Sequence, residues 1–239
     1  MSTYDLYAES GPKHKKTMIH VFDLLGCVAV GPTTDAALDA TPDAIRVYLR
    51  FLRRHGEPVD PAAPISTHVA QRIAETAIFI GQGSPYITFD PDLHPVSEGE
   101  IETFLARFHG MREELAAWVE TQSGKQLDAR PQEGGRPARG VLLHVMSVGG
   151  YLSAALAGAP GFGTVQGKAE RGEISLAEGL RTVAALAAER VRGATPEQRR
   201  AVLQRPKDVR TLRKALRRTL EHDWEHLTEL SRRSGGPKL

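Results

Sequence analysis

The sequence predicts an α+β protein, a small N-terminal α/β module followed by a four-helix bundle. Three observations carry this reading. Apolar, partly β-branched runs punctuated by glycine fill the first sixty residues. A proline-rich stretch at 58–64 then interrupts the chain, and segments of helical periodicity occupy most of the sequence after Ser97. The 239 residues are 41% hydrophobic, enough to bury a core, and the formal net charge of +2 creates no global attraction to nucleic acid or membrane.

Residues 4–8 are a strand candidate and 13–16 a basic turn. Residues 18–22 and 27–30 read as strands bounded by Gly26 and Gly31. A helix is expected over 33–54, because Ile45, Tyr48, Leu49 and Leu52 keep helical spacing. Thr33 or Thr34 can cap its start and Gly56 can end it. Pro42 predicts a restart or kink, with Thr41 as a new N-cap. This module is expected to span 1–60. Residues 61–96 read as a linker with a short β element, strand-like at 77–80 and 86–89. Ser97 and Glu100 make a capping box for a helix over 98–122, with Phe104, Phe108, Met111, Leu115 and Trp118 on one stripe. A Gly/Pro/Arg-rich loop at 123–135 precedes helices over 136–157, 175–192 and 207–232. The bundle is thus expected over 97–233.

Two histidines four apart, His222 and His226, project from nearly one helix face and can grip one metal ion. At about 100° per residue they flank the apolar stripe of Leu212, Leu216, Leu220, Leu227 and Leu230. His144 lies similarly beside Leu142, Val145 and Leu152 in a separate helix, so the two flanks can meet across a bundle groove. The expected site is a three-histidine centre for Zn, Ni or Fe with open positions, where water becomes acidic near neutral pH. The spacing also matches the H-E-x-x-H helix of zinc proteases, but Asp223 stands in place of the glutamate base and argues against a protease. Glu221, Asp223, Glu225 and Glu229 could orient the imidazoles or simply solvate the helix.

Other signals are weaker. Residues 190–218 hold eleven Lys/Arg against Glu197 and Asp208, an excess of nine positive charges. Arg210, Arg213, Lys214, Arg217 and Arg218 keep helical spacing and are expected to form a solvated positive face. Nucleic acid is not favoured as a partner, since no aromatics interleave for base stacking. Cys27 is the only cysteine and reads as a buried small hydrophobe, although His20 or His55 are conceivable bases for it. His109 is read as partly exposed rather than as a fourth ligand, and Trp118 and Trp224 as core or groove wall. With one cysteine, no apolar run at residues 1–10 and no apolar stretch of about 20 residues, a cytoplasmic protein with no membrane partner is expected.

Two segments resemble known families. Residues 18–60 resemble the HicB-like antitoxin domain through Asp23-Leu24-Leu25-Gly26-Cys27, Gly31 before the Thr-rich helix start, and Tyr48-Leu49 ahead of His55-Gly56-Glu57-Pro58-Val59. Leu25 stands where proline is usual there. Residues 97–233 resemble the DinB superfamily of helical-bundle metalloproteins. The likeness rests on Arg139-Gly140-Val141-Leu142-Leu143-His144-Val145 and on the run from Val209 to His222. The resemblance implies a metal triad at His144, His222 and His226, and for some relatives a low-molecular-weight thiol as second cofactor. Where some relatives carry acidic residues and Trp after the first histidine, this chain has Ser147, Gly149, Gly150 and Tyr151.

Two functions are expected. One is a divalent-metal hydrolase or thiol-dependent transferase of a small-molecule substrate. The other is a non-enzymatic interaction protein whose HicB-like module binds a protein or RNA partner. A homodimer is compatible with either.

Overall fold

The computed structural model describes residues 2–77, 79–131 and 134–239. Strands β1 (Ser2–Ser10), β2 (Lys15–Val21) and β3 (Val28–Thr33) form an antiparallel meander. Helix α1 (Thr34–Arg54) comes next, and β4 (Ile65–Ala74) returns parallel to β1, giving the order β3-β2-β1-β4. The sheet is buried on both sides around β2, so every residue from Thr17 to Val21 is buried, the polar Thr17 and His20 among them, and no polar-out alternation is seen. Ile19 joins the apolar core, while the next side chain, His20, faces the opposite side and meets the last helix of the chain.

Several expectations need correction. β4 lies at 65–74, inside the segment read as a linker, and is a full member of the sheet. Residues 86–89 form no strand, and the expected strand at 77–80 includes Ile78, which lies outside the described residues. Helix α1 runs unbroken through Pro42. Thr33 is its cap, accepting from Ala36 N, and Thr41 instead donates its hydroxyl to Ala37 O at 2.8 Å. The ring removes only one ladder donor, at a half-exposed position where water can serve the free carbonyl.

The rest is helical. α2 (Glu98–Glu120) opens with the expected Ser97/Glu100 capping box. α3 (Gly124–Asp128) sits in the loop. The helix expected over 136–157 is broken into α4 (Ala138–Val145) and α5 (Gly149–Leu156) by a tight turn at Met146–Val148. α6 (Phe162–Glu170) was not expected and packs where Gly149 leaves room, since a Cβ there would come within 2.7 Å of the Phe162 ring. α7 (Leu176–Arg192) matches its expectation, with Ser175 as cap. After α8 (Pro196–Arg200), a hairpin of β5 (Leu203–Gln204) and β6 (Val209–Arg210) delays the last helix, so α9 spans Leu212–Ser231 and not 207–232.

Helices α2, α4–α5, α7 and α9 make the bundle, with α2 against α7 and α9, and α5 against α9. One apolar core runs from Leu6 in the sheet to Leu230 in α9. No helix among the described residues is long and apolar enough to cross a membrane.

Candidate metal centre

Helix α9 carries two of the three histidines and α4 the third. The Nε2 atoms of His144 and His222 lie 3.0 Å apart, and one ligand nitrogen from each of His144, His222 and His226 lies within 4.8 Å of the others. The rings pack edge to face, with centroids 4.7–5.0 Å apart. Nitrogens bound tetrahedrally to zinc at 2.0–2.1 Å would sit about 3.3 Å from each other. The observed spacing brackets that value, and the all-imidazole donor set suits Zn, Ni or Fe.

The protonation state also fits. Burial, followed by the neighbouring His222 and His226, pushes the His144 pKa down to about 4, and burial lowers that of His222. Both rings are therefore held in the neutral form that binds metal. His226 Nδ1 lies 2.8 Å from Glu229 Oε2, which turns its Nε2 edge toward the other two rings. That hydrogen bond also holds the Glu229 carboxyl below its usual range.

Of the other acidic neighbours, Asp223 Oδ1 lies 3.6 Å from His222 Nδ1, and Glu221 and Glu225 turn to the cations of α9. Asp223 is fully buried and accepts from Arg112 Nε at 2.5 Å and Nη2 at 3.1 Å, so it cannot act as the base of a protease helix. Glu221 faces away, toward His20 at 2.7 Å and Arg217 at 3.0 Å, and also pairs with Arg218. Burial opposes its charge, but Arg217, His20 and Arg218 together hold its carboxyl well below the usual range. Glu225 lies 3.8 Å from Arg218, and burial lifts its pKa to about 7. His109 is exposed and stands outside the cluster. Cys27 is buried, which pushes its thiol up and removes it as a nucleophile. Trp224 is core, edge-on to Tyr48 at 4.7 Å.

The expected solvated positive face on α9 is not there. Lys214, Arg217 and Arg218 are 5%, 1% and 3% exposed. Arg217 forks onto Asp92 with two bonds of 2.8 Å and lies over Phe22 and Phe89. Glu9 of β1 accepts from the Gly83 and Ser84 amides at 2.7 and 3.0 Å and lies 3.6 Å from His20. The sheet, the loop at 81–92 and α9 are thus tied by a buried network that ends at Arg218.

Beside the triad opens a cavity of about 690 Å³. His144 and His222 form one wall, Tyr151 of α5 another, Tyr86 a third, and the hairpin turn at 205–208 the rim. Lys214 and Arg218 also line it, and the sequence did contain a signal for them. Lys214, Arg218, His222 and His226 are each four apart, so they form one winding line on α9.

A family profile described as the DinB superfamily matches residues 107–230, more than half the chain. The chain belongs to the DinB superfamily. Among solved structures, one similar protein is YfiT from Bacillus subtilis, described as "a probable metal-dependent hydrolase with an unusual four-helix bundle topology". The two share 20% identity over 62% of this chain and 93% of that one, with a TM-score of 0.44. No curated protein matches. The family match does not reach the N-terminal sheet, so the HicB-like resemblance rests on its own residues alone.

Proposed function

We propose that this chain is a metal-dependent enzyme, a hydrolase or thiol-dependent transferase, whose metal is held by His144, His222 and His226 and whose small-molecule substrate enters the cavity beside them. The observation that carries this is the juxtaposition of three converging imidazoles with a cavity large enough for a small molecule. A purely structural metal site would gain nothing from such a space, and three ligands leave coordination open.

A divalent ion, when bound, supplies Lewis acidity for activating water or a thiol and for polarising a substrate bond. The chain's own residues do the rest. Glu229 fixes the His226 ring through Nδ1, and the Asp223–Arg112 pair ties α9 to α2 directly behind the triad. Tyr151 lies edge-on to His222, with ring centroids 5.9 Å apart, and narrows the space over the triad. The hairpin turn and Tyr86 line the cavity as well.

The test is metal content by plasma mass spectrometry, on untagged protein and on the His222→Ala/His226→Ala variant. About one equivalent of Zn, Ni or Fe in the parent and none in a folded variant is expected for a single site of this kind. A parent that takes up no metal after reconstitution with each ion in turn would remove the reading.

A further inference from the structure

Two buried cations line the cavity, and the charge of one of them, Lys214, has no carboxylate partner among the described residues. Lys214 is 5% exposed, and its ammonium donates to the Thr88 hydroxyl at 2.8 Å and the Val209 carbonyl at 3.0 Å. Both acceptors are neutral, an ammonium has a third N–H to give, and among the described residues no carboxylate lies within ion-pair distance of it. Buried lysine is costly without an anionic partner. Its position adds to the cost. Lys214 is the third residue of α9, where the helix dipole favours negative charge, and the first turn of α9 contains no acid.

Arg218, one turn further on, is 3% exposed and pairs with Glu221, but its Nε–H is buried with no hydrogen-bond partner. Buried donors are almost always paired, so this orphan leaves the guanidinium short of one acceptor, while the Arg218 side chain as a whole lines the cavity. The network behind these residues holds its own counter-charges, with Arg217, Arg218 and the His20 imidazole set against Asp92, Glu221 and Glu9, and with Glu225 3.8 Å from Arg218. Lys214 stands outside that network. At the rim, Arg205 and Lys207 are exposed, and Asp208, the one carboxylate among the described residues that line the cavity, is already bound by Arg210 at 2.9 Å.

We propose that the cavity beside the three histidines binds a small molecule through an anionic oxygen group, a carboxylate or a phosphate, seated against Lys214 and Arg218, with the rest of the molecule extending toward His144 and His222. This rests on the metal-enzyme reading for the role of the bound molecule, but the anion seat itself requires no metal. The i, i+4 line that carries Lys214, Arg218, His222 and His226 places the anion seat and the triad at successive turns of one helix, about 5–6 Å apart per turn. A compact acid with its reactive bond a few atoms from the acid group fits that spacing. A neutral apolar molecule would leave Lys214 buried and unanswered.

The experiment is calorimetric titration at low ionic strength with two probes, inorganic phosphate and glutarate, on chelator-treated and zinc-reconstituted protein. The parent is compared with Lys214→Met and with the rim variant Arg205→Ala/Lys207→Ala. At least one probe is expected to bind the metal-free parent. Lys214→Met should weaken it by about tenfold or more, as for loss of one charge-assisted contact. The rim variant, which changes only exposed side chains, should weaken it less and leave the unfolding midpoint unchanged. Phosphate binding alone identifies a phosphate seat, and glutarate binding alone a carboxylate seat. Failure of both probes to bind the parent at millimolar concentration overturns the proposal, as does equal affinity in Lys214→Met. Zinc uptake is measured on the same samples. Zinc bound with no anion uptake ends this proposal and leaves the metal reading standing, whereas anion uptake with no zinc does the reverse.

Discussion

Glu229 reaches His226 Nδ1 at 2.8 Å and is itself held by Arg233, so the ring is oriented by a fixed carboxylate. Glu229→Gln keeps the shape and removes the charge. Metal affinity should fall about 10–100-fold, the usual cost of losing such a partner, in a competition titration against a chromophoric chelator. Unchanged affinity would mean that the carboxylate does not support the ring. Lys214 permits a second test at this scale. Burial lowers its pKa to about 8, against nearby Asp92 and Asp208, which raise it, and Arg217 and Arg218, which lower it further. The unfolded chain therefore binds a proton more readily than the native one between about pH 8 and 10, and stability contributed at this site rises with pH across that window. Lys214→Met should be more stable than the parent by about 1–2 kcal/mol at pH 7, less than the full pKa difference because Thr88 and Val209 lose a donor. The gap should close at pH 10 in urea unfolding, and a constant gap would show that the lysine carries no charge penalty. The His222/His226 pair was legible in the sequence because its spacing is local, whereas His144, 78 residues away, could be joined to it only through its place beside an apolar stripe and the family resemblance. The burial of Lys214, Arg217 and Arg218 was not, because it depends on Asp92, Phe89 and Gly83 arriving from a segment more than a hundred residues earlier.

Long helices with clear caps were readable as elements, and the interruptions were not. Ser97 with Glu100 caps as expected, and the helix expected from 175 begins one residue later with Ser175 as its cap, since capping is decided within four residues. The start of α9 was placed too early, at 207, whereas Asp208, Val209 and Thr211 are poor helix formers, β6 pairs with β5 and Thr211 adopts an extended φ of −135°. That threonine has two tasks. Its hydroxyl oxygen accepts from Lys214 N at 3.1 Å and its hydroxyl donates to Asp92 O at 2.6 Å. Thr211→Ala should cost about 1–2 kcal/mol, more than an ordinary cap, because a buried carbonyl is also left unpaired. Thr211→Ser should recover most of this in the same denaturant series. Between α4 and α5 the backbone stays right-handed and only tightens into a 3-10 turn, where the Ser147 hydroxyl donates to His144 O at 2.6 Å and Phe162 fills the space beside Gly149. Nothing within residues 136–157 alone announces the arrival of α6.

At the scale of the whole molecule, the sheet and the bundle share their most costly interactions. Gly26 lies so close to α9 that a Cβ would come within 3.1 Å of the Leu220 side chain, and Tyr48 of α1 packs on Trp224 of α9. Arg107 of α2 forks onto Glu57 at 2.7 and 2.8 Å and donates to Leu25 O at 3.1 Å. The buried network then joins β1 and β2 to α9 through Glu9, His20, Glu221 and Arg217. Such a network is a weak source of net stability when whole, because its charges must be dehydrated, but it is severe when broken. Asp92→Asn leaves the Arg217 guanidinium buried without its main carboxylate, so a loss of about 3–5 kcal/mol is expected. The form of the loss is the more telling observation. With one core running through sheet and bundle, Asp92→Asn should lower a single transition followed both by far-ultraviolet dichroism, which reports the helices, and, in a Trp118→Phe background that leaves Trp224 as the one tryptophan, by its emission, which reports the contact with α1. Two separated transitions in the variant would mean that the sheet folds on its own and merely leans on α9. Coincident transitions would mean that the loop at 81–92, and through it the walls of the cavity beside His222, exists only when sheet and bundle fold as one.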